Sequence, residues 1–292
     1  LKLINNKKKK EEKWKKWANI SPDSTIVVFS KKYNLFWMDK ENFLKAVEDE
    51  NDSTIVENQW TTDGEKYFDY GTGSRWDSGQ EDDQERKRAN VSWSHDSQSF
   101  VYKKVDNRKI EDLWVLNSLG KRPKLETYKY HMAGEKEYPI SNLLVFNVSS
   151  KDINEIILDT IEQKDIYLFN HIRKKSETSD DFRPSMILSK KGDIYFQVIS
   201  RDKKKMDTYV AKKGNYVPEL LITEKTNTYH DIYNRKQIKL IKNESEIIYW
   251  SERDGWGHLY RYESNGKLLN RLTSGPFHVE SVVFFDEKNN KI

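Results

Sequence analysis

The chain has 292 residues, 36% of them hydrophobic and 34% charged, and its 51 basic and 47 acidic side chains nearly cancel to a net charge of +4. That balance excludes the strong single-sign field that draws in nucleic acid. No apolar run reaches the ~18 to 20 residues of a membrane-spanning helix, and the absence of cysteine excludes disulfides, thiolate zinc sites and a cysteine nucleophile. At roughly 150 residues per domain the length suits two domains or one large all-β domain. Nine Trp, 16 Tyr and 12 Phe supply the core, since each ring removes roughly 150 to 250 Å² from water on burial. The chain opens at Leu1 without a basic-then-apolar leader, and we read it as a fragment.

In chain order, the charged stretch from Lys7 to Lys16 reads as solvated surface or a helical turn, with Trp14 and Trp17 three apart. Ile20-Ser21-Pro22-Asp23-Ser24 then leads into Ile26-Val27-Val28-Phe29, a strand, tight polar turn and strand. A further strand follows at Asn34 to Asp39, and a closing element ends in Thr62-Asp63-Gly64. Residues 71–89 are rich in Gly, Ser and charge and read as an excursion from the sheet. The plan then repeats. Trp93-Ser94-His95-Asp96-Ser97 leads into Phe100-Val101-Tyr102, with Asp112 to Leu116 as the next strand. Met186-Ile187-Leu188 leads through Ser189 to Gly192 into Ile194-Tyr195-Phe196, and Leu221-Ile222-Thr223 closes that unit. His258 to Tyr262 and Leu272 to Gly275 repeat the last two elements, and Val282 to Phe285 begins another hairpin.

Repetition of four-stranded units predicts an all-β chain, a β-propeller of four-stranded antiparallel blades present here as an incomplete set. We place blade-like units at 18–64, 90–163, 182–226 and 232–275, with a partial unit from 279. Aromatic side chains are expected to fill the ~10 Å between facing sheets.

Signatures of common chemistries are missing. No G-x-S-x-G elbow, H-E-x-x-H pair, Walker A loop or EF-hand loop occurs. The six histidines, at 95, 131, 171, 230, 258 and 278, lack ligand spacing, so no metal site is expected. The densest acidic group is Glu81, Asp82, Asp83 and Glu85, followed at once by Arg86, Lys87 and Arg88, which are expected to compensate much of its charge locally.

Three stretches resemble a known family. Glu126-Thr127-Tyr128-Lys129-Tyr130-His131-Met132-Ala133-Gly134-Glu135-Lys136 resembles the Tyr-x-Tyr-Pro-x-Ala-Gly segment in the propeller of the dipeptidyl peptidase IV branch of the prolyl oligopeptidase family. Ser251-Glu252-Arg253-Asp254-Gly255-Trp256-Gly257-His258-Leu259-Tyr260 resembles its Ser-Glu-Arg-Asp-Gly-Trp-x-His-Leu-Tyr strand, and Gly266 to Gly275 continues the match. The resemblance runs from about Ile20 onward. It implies the propeller of a serine exopeptidase, with no cofactor and with the catalytic α/β-hydrolase domain absent from this chain.

In that family acidic residues on an insertion before a blade strand bind the protonated N-terminus of the peptide substrate. By order, the insertion corresponds to residues 71–89, where Glu81, Asp82, Asp83 and Glu85 stand in place of the family's adjacent Glu-Glu pair. The chain's Glu11-Glu12 pair precedes a different unit, and His131 replaces the usual proline. The resemblance further implies a hydrolase-domain partner, a homodimer, and a periplasmic, cell-surface or secreted location. A free-standing protein-binding propeller is the alternative reading, and a propeller glycosidase with inward carboxylates a remote third.

Overall fold

In the computed structural model, the described residues are 15–71, 76–77, 84–158, 165–168, 189–230, 238–280, 286, 288–289 and 291. Their architecture is that of a β-propeller, with antiparallel four-stranded sheets succeeding one another along the chain. The first sheet has β1 (Asn19–Ile20), β2 (Ile26–Lys31), β3 (Asn34–Asp39) and β4 (Asn58–Gln59) in sequence order. Between β3 and β4 stands α1 (Lys40–Glu48), which the scarce helical periodicity did not predict. Asp39 caps it, its carboxylate accepting the Asn42 N–H at 2.9 Å, and Phe43 and Ala46 are buried with Trp17, Phe29 and Met38 on one flank of the sheet.

A common turn chemistry explains the hairpins. Ser21 Oγ donates to Asp23 at 2.6 Å and accepts the Thr25 and Ile26 N–H groups at 3.2 and 3.1 Å. The same arrangement recurs at Ser94 and Asp96, and again at Ser200 and Asp202. In each turn the residue after the aspartate, Ser24, Ser97 or Lys203, has φ near +60°. The aspartate carboxylate on one side of it accepts the N–H of the residue on the other side, Thr25, Gln98 or Lys204, and so holds it there.

The second sheet departs from expectation. It contains β6 (Val91–Trp93), β7 (Ser99–Asp106), β10 (Ile140–Asn147) and β11 (Ile153–Glu155). The segment read as its third strand, β8 (Asp112–Asn117), leaves the blade instead. It pairs with β9 (Lys124–Lys129), and β9 pairs with β5 (Trp76–Asp77) in a separate three-stranded sheet. Burial decides the matter. An interior blade strand is covered on both faces, and β10 buries Leu143, Leu144, Val145 and Phe146 in succession, whereas Trp114 and Leu116 of β8 are exposed.

The third sheet contains β12 (Asp165–Leu168), β13 (Ile194–Ile199), β14 (Lys205–Ala211) and β15 (Pro218–Lys225). Both edges of β13 are taken, by β12 and β14; its expected hairpin partner is residues 186–188. Those residues, and 282–285, lie outside the described ones. The fourth sheet contains β16 (Ile238–Ile241), β17 (Glu246–Ser251), β18 (His258–Glu263) and β19 (Leu268–Arg271).

Successive sheets bury their facing sides. Between the first and second the filling is aromatic: Trp60 meets Phe100 at 5.2 Å and Phe146 at 5.7 Å, and those two rings stack at 4.8 Å. Between the second and third it is chiefly aliphatic, with Val101, Leu143, Val145, Ile194 and Val198. Between the third and fourth, tyrosines return with Tyr195, Tyr249, Tyr260 and Tyr262. The expectation of aromatic filling therefore holds at two of these three boundaries.

Candidate functional site

The acidic excursion starts from a tightly held stem. Tyr70 N–H donates to Tyr33 O at 3.0 Å, the Tyr70 hydroxyl donates to Asp63 at 2.9 Å, and Gly71 N–H donates to the Asp69 carboxylate at 2.8 Å. Burial pushes the Asp69 carboxyl up to about 6, against the opposing pull of the Gly71 N–H and of Lys87 and Lys104.

The return stem is held equally well. Lys87 and Ser30 exchange backbone hydrogen bonds of 2.8 Å, Arg86 Nε donates to Glu57 at 2.6 Å, and Arg88 donates to Ala18 O. Arg86 also lies 5.2 Å from the Trp17 ring centroid. Among the described residues, Arg86 and Arg88 thus direct their guanidinium groups to the first sheet and its amino-terminal approach.

Of the four expected anchor residues, Glu81, Asp82 and Asp83 lie outside the described residues. Glu85 is exposed at the start of the return stem. Between the stems, Trp76 and Asp77 lie in register with Tyr128 and Thr127 of β9. The acidic excursion is therefore joined by backbone hydrogen bonds to the Tyr-x-Tyr strand, some fifty residues away in the chain. Lys129 on that strand pairs with Asp112 at 3.0 Å and lies 4.7 Å from the Tyr67 ring centroid. His131, where the family pattern has proline, contacts Arg201 in the turn between β13 and β14. Among the described residues no cluster of His, Asp and Glu is arranged to hold a metal.

Beside the stem lies a cluster that sequence reasoning missed. Lys104 is 1% exposed, 2.7 Å from Asp63 Oδ2, with the Phe68 and Tyr70 ring centroids 3.4 and 4.3 Å from its ammonium. Burial pulls the lysine down, although the Asp63 pair opposes it. Burial would raise the Asp63 carboxyl, but the hydrogen bonds from Lys104 and Tyr70 outweigh that and hold it low. The alternation of β7 was the available signal, because position 104 shares its face with Tyr102 and Phe100.

The Ser-Glu-Arg-Asp-Gly-Trp stretch proves to be architectural. Glu224 on β15, 6% exposed, accepts from Tyr249 Oη at 3.1 Å, from Ser251 Oγ, and from Arg253 at 3.0 Å. Asp254 receives the Tyr260 hydroxyl at 2.5 Å and pairs with Arg271 at 2.9 Å. A Cβ on Gly257 would collide with the Trp250 ring and His278. His258 is fully buried between Thr273 and Gly275 O, each 3.1 Å away. These contacts fasten the third sheet to the fourth and fix the loop after β17.

The family model for the dipeptidyl peptidase IV N-terminal region matches residues 2–292. Among solved structures, dipeptidyl peptidase 4 from Porphyromonas gingivalis is similar at a TM-score of 0.62 and 22% identity, over 90% of this chain and 33% of that one. A candidate dipeptidyl aminopeptidase IV from Bacteroides ovatus is similar at a TM-score of 0.55 and 16% identity, over 86% of this chain and 30% of that one. The chain thus spans about a third of the length of either solved protein.

Proposed function

The chain belongs to the dipeptidyl peptidase IV N-terminal-region family, and from that premise we propose that it is the non-catalytic propeller of a dipeptidyl-peptidase-IV-like serine exopeptidase, controlling substrate access and binding the peptide N-terminus. Proteolysis belongs to the full-length protein, where an α/β-hydrolase domain supplies the Ser, Asp and His. A periplasmic, cell-surface or secreted location goes with this reading.

The observation that supports the reading best is the pairing of β5 with β9, which ties the acidic excursion to the family-like Tyr-x-Tyr strand. The chemistry required there is simple. An ammonium removed from water needs opposite charge and acceptors, and Glu81, Asp82, Asp83 and Glu85 are the densest acidic group in the chain, followed by Arg86 and Arg88 that contact Glu57 and Ala18 O. Holding the amine at a set distance from the scissile bond makes the enzyme count from the end of its substrate.

The test is made on the full-length protein with chromogenic dipeptides carrying proline or alanine second from the N-terminus. Free-amine substrates should be cleaved and N-acetylated ones should not; equal rates for both would remove the amine anchor. Glu81→Gln, Asp82→Asn, Asp83→Asn and Glu85→Gln, made singly, should locate it. A rise in KM alone marks uniform binding, and a fall in kcat marks transition-state positioning.

A further inference from the structure

The two limbs of the acidic excursion meet at one buried residue. Ser30 of β2 is 2% exposed. Its backbone exchanges hydrogen bonds with Lys87 on the return limb. Gly71 on the outgoing limb lies so close that a Cβ there would come within 3.3 Å of the Ser30 hydroxyl and 3.4 Å of Asp69 Oδ1. Asp69 is the side chain that ties the outgoing limb at this point. Its carboxylate accepts the Gly71 N–H, and its own carbonyl accepts the Tyr102 hydroxyl at 3.4 Å.

The charges named around this point balance when Asp69 is ionised. Lys87 from the return limb and Lys104 from β7 act on its carboxyl. Tyr70 and Tyr102 lie alongside with hydroxyls that burial keeps neutral, and Asp63 pairs with Lys104. Two cations then stand against two carboxylates, and protonation of Asp69 leaves one positive charge in excess. It also loosens the hold on Gly71, since an ionised acceptor makes a hydrogen bond about twice as strong as a neutral one. Burial pushes this carboxyl up to about 6, so its charge opposes folding over the range in which it is ionised. Groups shifted in this way concentrate at functional sites.

We infer that Asp69 is a positioning residue for the peptide's N-terminal amine: its carboxylate fixes the root of the excursion over Ser30, so that the acids farther along meet the substrate ammonium best while Asp69 is ionised. This rests on the reading of the excursion as the amine anchor. The consequence is a pH dependence of amine capture that the contact itself does not supply between about pH 5 and 7.5, because an exposed α-amine titrates at about 8 and exposed carboxylates at about 4.

The experiment measures, on the full-length protein across that range, competitive inhibition by the free-amine dipeptide alanyl-proline, alongside cleavage of free-amine and N-acetylated chromogenic substrates. Asp69→Asn keeps an acceptor for Gly71 but carries no charge. The ratio of its inhibition constant to the parent's should therefore climb from about one at the acid end to about five at the neutral end, the factor that separates a charge-assisted from a neutral hydrogen bond. The midpoint of that climb should lie at about 6. The same variant should melt higher than the parent at neutral pH, and a residue that merely held the fold together would not combine weaker binding with greater stability. Lys87→Gln removes a cation that pulls the carboxyl down, so in its background the midpoint should move to higher pH. With cleavage confined to free-amine substrates, a ratio constant with pH, or a midpoint unmoved by Lys87→Gln, would overturn the inference and leave the amine anchor standing. Equal cleavage of free-amine and N-acetylated substrates would overturn the anchor and the inference with it.

Discussion

Lys104 and Glu224 make an instructive pair, one a buried cation where the first and second sheets meet, the other a buried anion where the third and fourth meet. Lys104 is 1% exposed and has Asp63 and two ring faces for company. Glu224 is 6% exposed and is met by a tyrosine hydroxyl, a serine hydroxyl and a guanidinium. The difference follows from the sign of the charge. An aromatic face is electron-rich, so it solvates a cation and repels an anion, and a buried carboxylate must instead collect O–H and N–H donors. An aromatic boundary therefore accepts a lysine with one acidic partner, while a carboxylate has to recruit a neighbouring strand and loop.

Removing either charge breaks the comparison in a predictable order. Glu224→Ala strands Arg253 and the buried hydroxyls of Tyr249 and Ser251. Loss of one partner of a fully buried pair costs about 3 to 5 kcal/mol, and because Arg253 is 30% exposed and regains water we expect about 2 to 3 kcal/mol, read as a lower urea midpoint at unchanged slope.

Lys104→Met should cost less, about 1 to 2 kcal/mol. Its partner Asp63 is 58% exposed and rehydrates on losing the lysine, while methionine keeps much of the contact with the Phe68 and Tyr70 rings. A larger loss for Lys104→Met than for Glu224→Ala would contradict the account of the two boundaries. Ser251→Ala removes one donor to Glu224 and one acceptor for Arg253 Nε at 3.0 Å, and should cost about 1 kcal/mol.

A pH-dependent test sharpens the first boundary. Asp69, close to Lys104, has its folded value raised from 3.8 to about 6. A raised carboxyl favours folding in its protonated form, so its contribution is complete below pH 3.8 and is lost as pH climbs to about 6. Asp69→Asn stays neutral and lacks this loss. Relative to the parent, its melting temperature should therefore rise between pH 4 and 6.5 and stay level above. A flat difference across that window would show that the carboxyl is not strained by burial.

Much of the candidate site was readable before the fold. The excursion at 71–89, its acidic group and the Tyr-x-Tyr strand were all recognisable as local runs. Their joining through β5 and β9 was not, because a two-residue strand leaves almost no periodic signal and its partner lies far along the chain. The destination of Arg86 and Arg88 was hidden for a similar reason. Sequence proximity made them partners of the acids beside them, and the stem geometry turned them toward Glu57 and Ala18. The helix α1 was overlooked because its nine residues bury only Asn42, Phe43 and Ala46, too few for a sustained 3.6-residue pattern.

What the sequence determined by itself was the repeating hairpin, because Ser-x-Asp turns and short apolar runs are governed by contacts within five or six residues. Tertiary structure alone decided which strand completes each blade, and the contrast of β8 with β10 shows why. Both are apolar and six to eight residues long, and either could follow β7 as a strand. Only the presence of facing sheets on both sides makes continuous burial of Leu143 to Phe146 favourable. That leaves Trp114, Leu116 and Leu119 outside the four-stranded blade and exposed among the described residues.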